Sequence, residues 1–246
     1  MSDKVYTRIT MGLNDRGVLI PRGEEYKYVG SKISKQDVYT SIFDYTEAHN
    51  EIMDKTGTIA GITDVTTKML PFDFDCSSNP EKARTHVIEL IKRLNNMGFS
   101  DKNIQVCFSG KKGFSALVFT NTNMTPAEVK NICLNLAEGL DTLDKQIYNP
   151  SRIFRLPLSK HNGSGLFKTP LSLEEVKTLT VDQIKEIAKT PMEPEDTEGA
   201  WEVAEMPKKL IEMKDKTPKV DMKAVLNEIT FDPKDINWEG RPKGLA

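Results

Sequence analysis

Two aspartates separated by one phenylalanine, Asp73 and Asp75, stand in the otherwise apolar stretch PFDFDCSSNP. In an extended strand alternate side chains share a face, so both carboxylates point one way, with Cα atoms about 7 Å apart, while Phe72 and Phe74 point the other way. Aspartate is disfavoured in strands and rarely fully buried without a partner, so the pair needs a reason. Carboxylates held like this can share divalent cations, and paired metals about 4 Å apart are a standard device for in-line phosphoryl transfer. The plainer reading is a strand end whose acids are solvated or cap the next helix, and FDFD alone leaves that reading ahead.

A second stretch, SGKKGFS at 109–115, sets Ser109, two glycines, Lys111 and Lys112 on a tight turn, where backbone N–H groups and ammonium groups can meet phosphate. A lysine-rich hairpin turn is also a common surface feature. The third stretch runs from Asp144 to Leu171, and its segment 145–168 holds Lys145, Arg152, Arg155, Lys160, His161 and Lys168 with no acid at all. Spacing alone does not make these a site: Arg155 could be a structural ion-pair partner, His161 a loop residue and Asp144 a helix-end charge. The acid-free density of bases beside Pro157, Gly163 and Gly165 marks a local anion-binding surface.

The elements that would position these residues can be read from periodicity. After FDFD, Asn79 caps a helix with Pro80 at its first position, and Val87, Leu90, Ile91 and Leu94 follow i, i+3, i+4, i+7 spacing. IQVCFS (104–109) and FSALVF (114–119) read as a hairpin across GKKG. Thr125 and Glu128 form a capping box before a helix with Val129, Ile132, Cys133 and Leu136 on one face, stopped by Gly139. The order strand, helix, hairpin, helix, strand predicts an α+β fold with an open sheet of mixed direction, covered by helices on one face. Upstream, 25–70 mixes short apolar runs such as VYTSIF with an acidic helical segment near 44–55. Downstream, Ser172 with Glu175 and Thr180 with Gln183 start two short helices, PMEPEDTEG reads as a linker or surface loop, and a last helix is expected near 220–229, with Trp201 and Trp238 available to pin the tail.

With 246 residues, 38% hydrophobic and 28% charged, the chain has the composition of a soluble globular protein. No apolar run reaches the roughly 20 residues of a membrane span, and the start carries no hydrophobic signal segment, so a cytoplasmic protein with no membrane partner is expected. Cys76, Cys107 and Cys133 are too scattered for a zinc site or a disulfide framework and are expected to be buried thiols. The net charge is only −2, but residues 191–246 hold 9 bases and 13 acids, which leaves residues 1–190 slightly basic.

Taken in order and at these separations, the three stretches resemble the three motifs of the archaeo-eukaryotic primase superfamily, which includes primase-polymerases of viruses and plasmids. The paired acids match Asp73 and Asp75, and the Ser/Gly/basic turn matches SGKKGF. The third motif, an acid followed by Arg-x-x-Arg, Ser-x-His and a Gly-Leu-x-x-x-Pro-Leu ending, matches Asp144, Arg152, Arg155, Ser159, His161, Gly165, Leu166, Pro170 and Leu171. The resemblance covers roughly residues 40–175. It implies an RRM-like primase catalytic core with an N-terminal α/β part and a helical C-terminal extension: a catalytic domain at 1–190, then an acidic linker and helical arm at 191–246 leading toward further downstream domains.

The resemblance also implies site roles. Asp73, Asp75 and Asp144 would hold two Mg²⁺ or Mn²⁺ ions and carry catalysis, with Asp144 preferred over Asp141 as the third acid. Ser109, Lys111, Lys112, Ser115, Arg155, His161 and Lys168 would bind the nucleotide triphosphate, while Lys145, Arg152 and Lys160 would follow a single-stranded DNA template. The expected activity is DNA primase or primase-polymerase nucleotidyl transfer from NTPs or dNTPs during replication, with a helicase or helical domain as a downstream partner and a host-cell cytoplasmic location for a virus or plasmid protein. Many relatives carry a phosphate-contacting His where Ser115 stands, and a serine cannot carry charge; no zinc cluster accompanies the motifs, so extension is better supported than initiation. The alternatives are a primase-like replication module that binds DNA without synthesis, a metal-dependent nuclease, and a binding module whose acids are only strand-end charges.

Overall fold

The computed structural model describes residues 4–194 and 201–214. The described residues all fall within one compact unit. The helix expected near 220–229 and Trp238 lie outside the described residues.

This unit is α+β and carries two four-stranded sheets. Strands β1 (Tyr6–Met11), β2 (Val18–Pro21) and β3 (Val38–Ser41) open the chain, with helix α1 (Glu25–Val29) between β2 and β3 and helix α2 (Glu47–Thr56) after them. Then follow β4 (Thr67–Asp75), α3 (Pro80–Asn96), β5 (Ile104–Phe108), β6 (Gly113–Met124) and α4 (Pro126–Leu136). A 3-10 turn (Lys145–Tyr148), β7 (Ile153–Arg155), β8 (Thr169–Leu171), α5 (Leu173–Thr178), α6 (Val181–Ile187) and α7 (Lys208–Ile211) complete it. The sheets run β2-β1-β3-β7 and β4-β6-β5-β8.

Every pair of neighbouring strands is antiparallel, and this corrects the expected mixed direction. The crossover through α3 does send β4 and β5 the same way, but β6 turns back between them and pairs with both. Among the described residues the one parallel pairing is the isolated bridge Thr120–Ala204. That bridge belongs to a return of the chain at 202–206, held by Ala204 N–H to Phe119 O (2.8 Å), Asn121 N–H to Ala204 O (2.9 Å) and Glu202 N–H to Lys102 O (2.7 Å).

The second sheet has two unlike faces. Register pairs Phe72 with Ala116 and Phe74 with Phe114 on one face, and Asp73 with Ser115 and Asp75 with Gly113 on the other. The phenylalanine face is covered by α3 and α4, whose Val87, Leu90, Ile91, Val129, Ile132 and Cys133 share one core with Phe72 and Phe74. Each such fully buried large side chain contributes about 1.5–3 kcal/mol. The helix starts form as read: Asn79 Oδ1 accepts from Lys82 N–H (3.3 Å), and Thr125 with Glu128 closes a capping box. Cys107 and Cys133 are buried, whereas Cys76, expected to be buried, is only half so because it stands past the end of β4, ahead of the N-cap of α3. Among the described residues no helix is long and apolar enough to cross a membrane.

Gly113 faces Asp75 so closely that a Cβ there would lie 2.1 Å from Asp75 Oδ1 and 2.3 Å from Phe74 O. Gly113→Ala is therefore expected to force β4 and β6 apart at the site end and to lower stability by about 1–3 kcal/mol in urea unfolding. An unchanged midpoint would contradict this register.

Candidate functional site

A cleft of about 360 Å³ collects residues from all three stretches and from the first sheet. From β4 come Asp73 and Asp75, from the β5–β6 turn Ser109, Lys111 and Lys112, and from the third stretch Arg152, Arg155, His161 and Lys168. Ser115 stands between Asp73 and Cys107 on the same sheet face as Asp73, but it is buried and does not line the cleft. Asp144 does not line the cleft but abuts it, while Lys145 with Arg152 lines an adjoining cavity of about 650 Å³. Lys160 lines neither; its N–H donates to Ile33 O (3.0 Å).

The acids are placed largely by main chain. Residues 142–144 run along the open edge of β4, where Asp75 N–H donates to Thr142 O and Asp144 N–H to Asp73 O, both at 2.8 Å. Pairing along this edge is confined to an isolated antiparallel bridge between Phe74 and Leu143. The Asp144 carboxylate accepts from Gln146 N–H (2.8 Å) and pairs with Arg152 (3.5 Å), and Asp75 pairs with Lys112 (3.2 Å). Burial, and then the charge of Asp75, push the Asp73 carboxyl up to about 7 against the opposing pull of Lys168. Asp141 lies at the surface, paired with Lys82 (2.6 Å).

The donor set suits a hard divalent cation in part. Asp73 and Asp75 offer oxygen ligands on one strand face, the chemistry Mg²⁺ and Mn²⁺ prefer, and the raised Asp73 marks a place where added positive charge would be stabilised. Among the described residues, however, no group of three His, Cys, Asp or Glu side chains is arranged to hold a metal ion. Asp144 is turned to its own backbone and to Arg152.

The second and third stretches lock together. Ser109 N–H donates to Gly113 O (2.9 Å) and Gly113 N–H to Ser109 Oγ (3.0 Å), which closes the turn. Gly110 takes a left-handed φ of +87°, and a Cβ there would press on His161 Cβ and on the carbonyls of Leu166 and Phe167 at 3.2–3.3 Å. Ser164 Oγ donates to Gly110 O. The lysine turn thus lies directly on the His161 loop.

His161 Nδ1 accepts N–H groups from Gly163 (3.1 Å) and Ser164 (3.2 Å), so this nitrogen carries no proton and Nε2 carries the ring N–H. Burial, and then Arg155, hold its pKa below the usual histidine value. Lys168 is 2% exposed, with its ammonium bonded to Arg155 O (2.8 Å) and 3.9 Å from the centre of the Phe154 ring; burial lowers its pKa to about 8. Arg155 is engaged by residues that no motif contains. It pairs with Asp37, donates to Tyr39 OH (2.9 Å) and to Lys160 O (3.3 Å), and stacks over the Tyr39 ring at 4.8 Å. Asp37 also accepts from Asn162 N–H (3.2 Å), which ties the first sheet to the His161 loop. Asp37 and Tyr39 lie more than 110 residues before Arg155, and no local signal announces them.

No protein-family model matches the chain, and no curated protein matches it. Among solved structures it is similar to the AEP domain of the cyanophage S-2L primase-polymerase, at a TM-score of 0.43 and 13% identity over 76% of this chain and 89% of that one. It is also similar to the polymerase domain of Ligase D from Mycobacterium tuberculosis, solved in complex with DNA, at a TM-score of 0.47 and 11% identity over 86% of this chain and 75% of that one.

The His161 geometry has a measurable outcome. Nitrogen-detected NMR at pH 7 is expected to show a neutral ring with the proton on Nε2. Because the folded pKa is depressed, the unfolded chain binds the proton more readily, so this residue's contribution to stability is present above about 6.5 and is lost as pH falls through the lower folded value. A ring protonated at pH 7, or an Nδ1–H tautomer, would overturn the assignment.

Proposed function

We propose that this chain is a template-directed nucleotidyltransferase of the primase-polymerase type, joining nucleotides from NTPs or dNTPs on single-stranded DNA during replication. One observation carries this reading: a single cleft gathers two carboxylates and a set of phosphate-seeking groups from three stretches of sequence that resemble primase motifs. In this reading Asp73 and Asp75 hold divalent cations, joined by Asp144 once its carboxylate leaves Arg152. Mg²⁺ or Mn²⁺ bound there would lower the pKa of a 3′-hydroxyl and neutralise charge on the α-phosphate and the departing pyrophosphate.

The rest is positioning and electrostatics by the chain's own groups. Ser109 with the Lys111–Lys112 turn offers a hydroxyl, ammonium groups and backbone N–H groups to a triphosphate. His161 presents a neutral Nε2–H donor beside it, and Lys168 supplies a desolvated positive charge from the floor. Arg155 reaches an incoming phosphate by exchanging Asp37 for it. The adjoining cavity, which adds Arg8 and Lys130 to Lys145 and Arg152, suits a nucleic-acid backbone. Binding of DNA without synthesis is a second reading, favoured by the engagement of Arg155 with Asp37 and of Asp144 with Arg152.

The deciding experiment is product formation on single-stranded DNA with labelled NTPs or dNTPs and Mg²⁺ or Mn²⁺, with and without a primer. Synthesis is expected, and Asp73→Asn or Asp75→Asn should reduce it by more than about 10²-fold, the scale of losing one preorganised electrostatic contact, with circular dichroism unchanged. No synthesis by the unaltered chain under any condition, with DNA still bound, would move the conclusion to the second reading; Mg²⁺-dependent cleavage of DNA without nucleotides would identify a nuclease.

A further inference from the structure

A second cavity, of about 500 Å³, opens between the sheets and shares only Phe154 and Arg155 with the acidic cleft. Phe119 and Phe154 line it from the two sheets, Tyr26 from α1, and Trp201 from just ahead of the chain return at 202–206. Its volume lies within the range of about 300–1,000 Å³ of small-molecule sites.

One side chain in this wall is out of keeping with it. Gln105 is 7% exposed and stands across from Leu117 in the register of β5 and β6, and among the described residues its amide makes no hydrogen bond. The amide is not sealed in the wall, so its donor and acceptor stand open to whatever enters the cavity. Tyr26 lines the same cavity, its hydroxyl also without a hydrogen bond among the described residues, and burial pushes its pKa up. A glutamine amide offers a donor and an acceptor side by side, the complement of the edge of an adenine ring. Ring faces for stacking come from the aromatic walls.

Charge narrows the ligand further. Arg22 at the rim is committed to Asp44 and to the carbonyls of Ser41 (3.3 Å) and Phe43 (3.2 Å), and Arg155 turns its guanidinium to Asp37 and to the hydroxyl of Tyr39, a residue of the acidic cleft. No uncommitted cation lines the cavity among the described residues to receive a phosphate. We infer that this cavity binds an uncharged planar heteroaromatic ring with an adjacent donor and acceptor, a purine base or nucleoside, with Gln105 reading its edge. The inference is independent of the proposed polymerase activity.

The test uses the full chain carrying Trp238→Phe, so that Trp201 is the sole tryptophan, titrated with adenosine and followed by fluorescence. Saturable quenching is expected. Gln105→Leu should keep or raise the unfolding midpoint and weaken adenosine binding about tenfold or more, in line with the discrimination of a bidentate contact; Gln105→Met gives the same reading should leucine disturb packing. Asp73→Asn should leave adenosine binding intact even if it abolishes synthesis. Absence of saturable quenching, binding of adenosine by both Gln105 variants as tight as by the unaltered chain, indole binding as tightly as adenosine, or loss of binding in Asp73→Asn would each overturn the assignment.

Discussion

The alternation along β4 is the constraint on which the rest depends. Phe72 and Phe74 are wholly buried against α3 and α4, and the odd-numbered residues between and beyond them are thereby committed to the opposite face. Slipping the strand by one residue would drive two carboxylates into the core and two aromatic rings into the cleft, a cost of many kcal/mol from the charges alone. Hydrophobic burial therefore sets the direction of the acids. Thr142 and Asp144 then read that strand edge through main-chain bonds, so the third acid inherits its place from the first two.

Around this strand the remaining groups are held by contacts between segments far apart in sequence. Gly110 lets the lysine turn lie on the His161 loop, and Asp37 links that loop and Arg155 to the first sheet. The backbone of the third stretch is itself under tension: Leu158, between Pro157 and Ser159, adopts a φ of +67°, costly for a branched residue. Ser159 Oγ donates to Leu156 O (2.7 Å) across this bend, and Leu158 N–H and Lys168 O meet at 2.8 Å. The bend turns the chain so that Lys168 comes back beneath Arg155.

Features with a fixed period or spacing were legible in the sequence. The Phe/Asp parity, the capping boxes at Thr125, Ser172 and Thr180, and the hairpin across GKKG are all local, and each formed as the pattern implied. The three stretches also converge, to the extent that most of the residues singled out line one cleft. Strand direction departs from the sequence pattern because a crossover helix implies parallel strands but not their adjacency, and β6 comes between. Asp37, Tyr39 and Gln105 carry no local signal, because their significance lies in what they face across the molecule. Nothing in VYTSIF foretells that its tyrosine will lie beneath a guanidinium more than 110 residues later.

The ion pairs around the cleft bear on how ligands arrive. Five cationic side chains line it, yet the carboxylates of Asp37, Asp73, Asp75 and Asp144 stand against or among them. Their fields largely cancel beyond a Debye length of about 8 Å at physiological ionic strength. Such a surface exerts little long-range steering. Capture of an anion here is governed by short-range exchange of partners after collision, so its rate of encounter should vary only weakly with salt even where its residence time varies strongly.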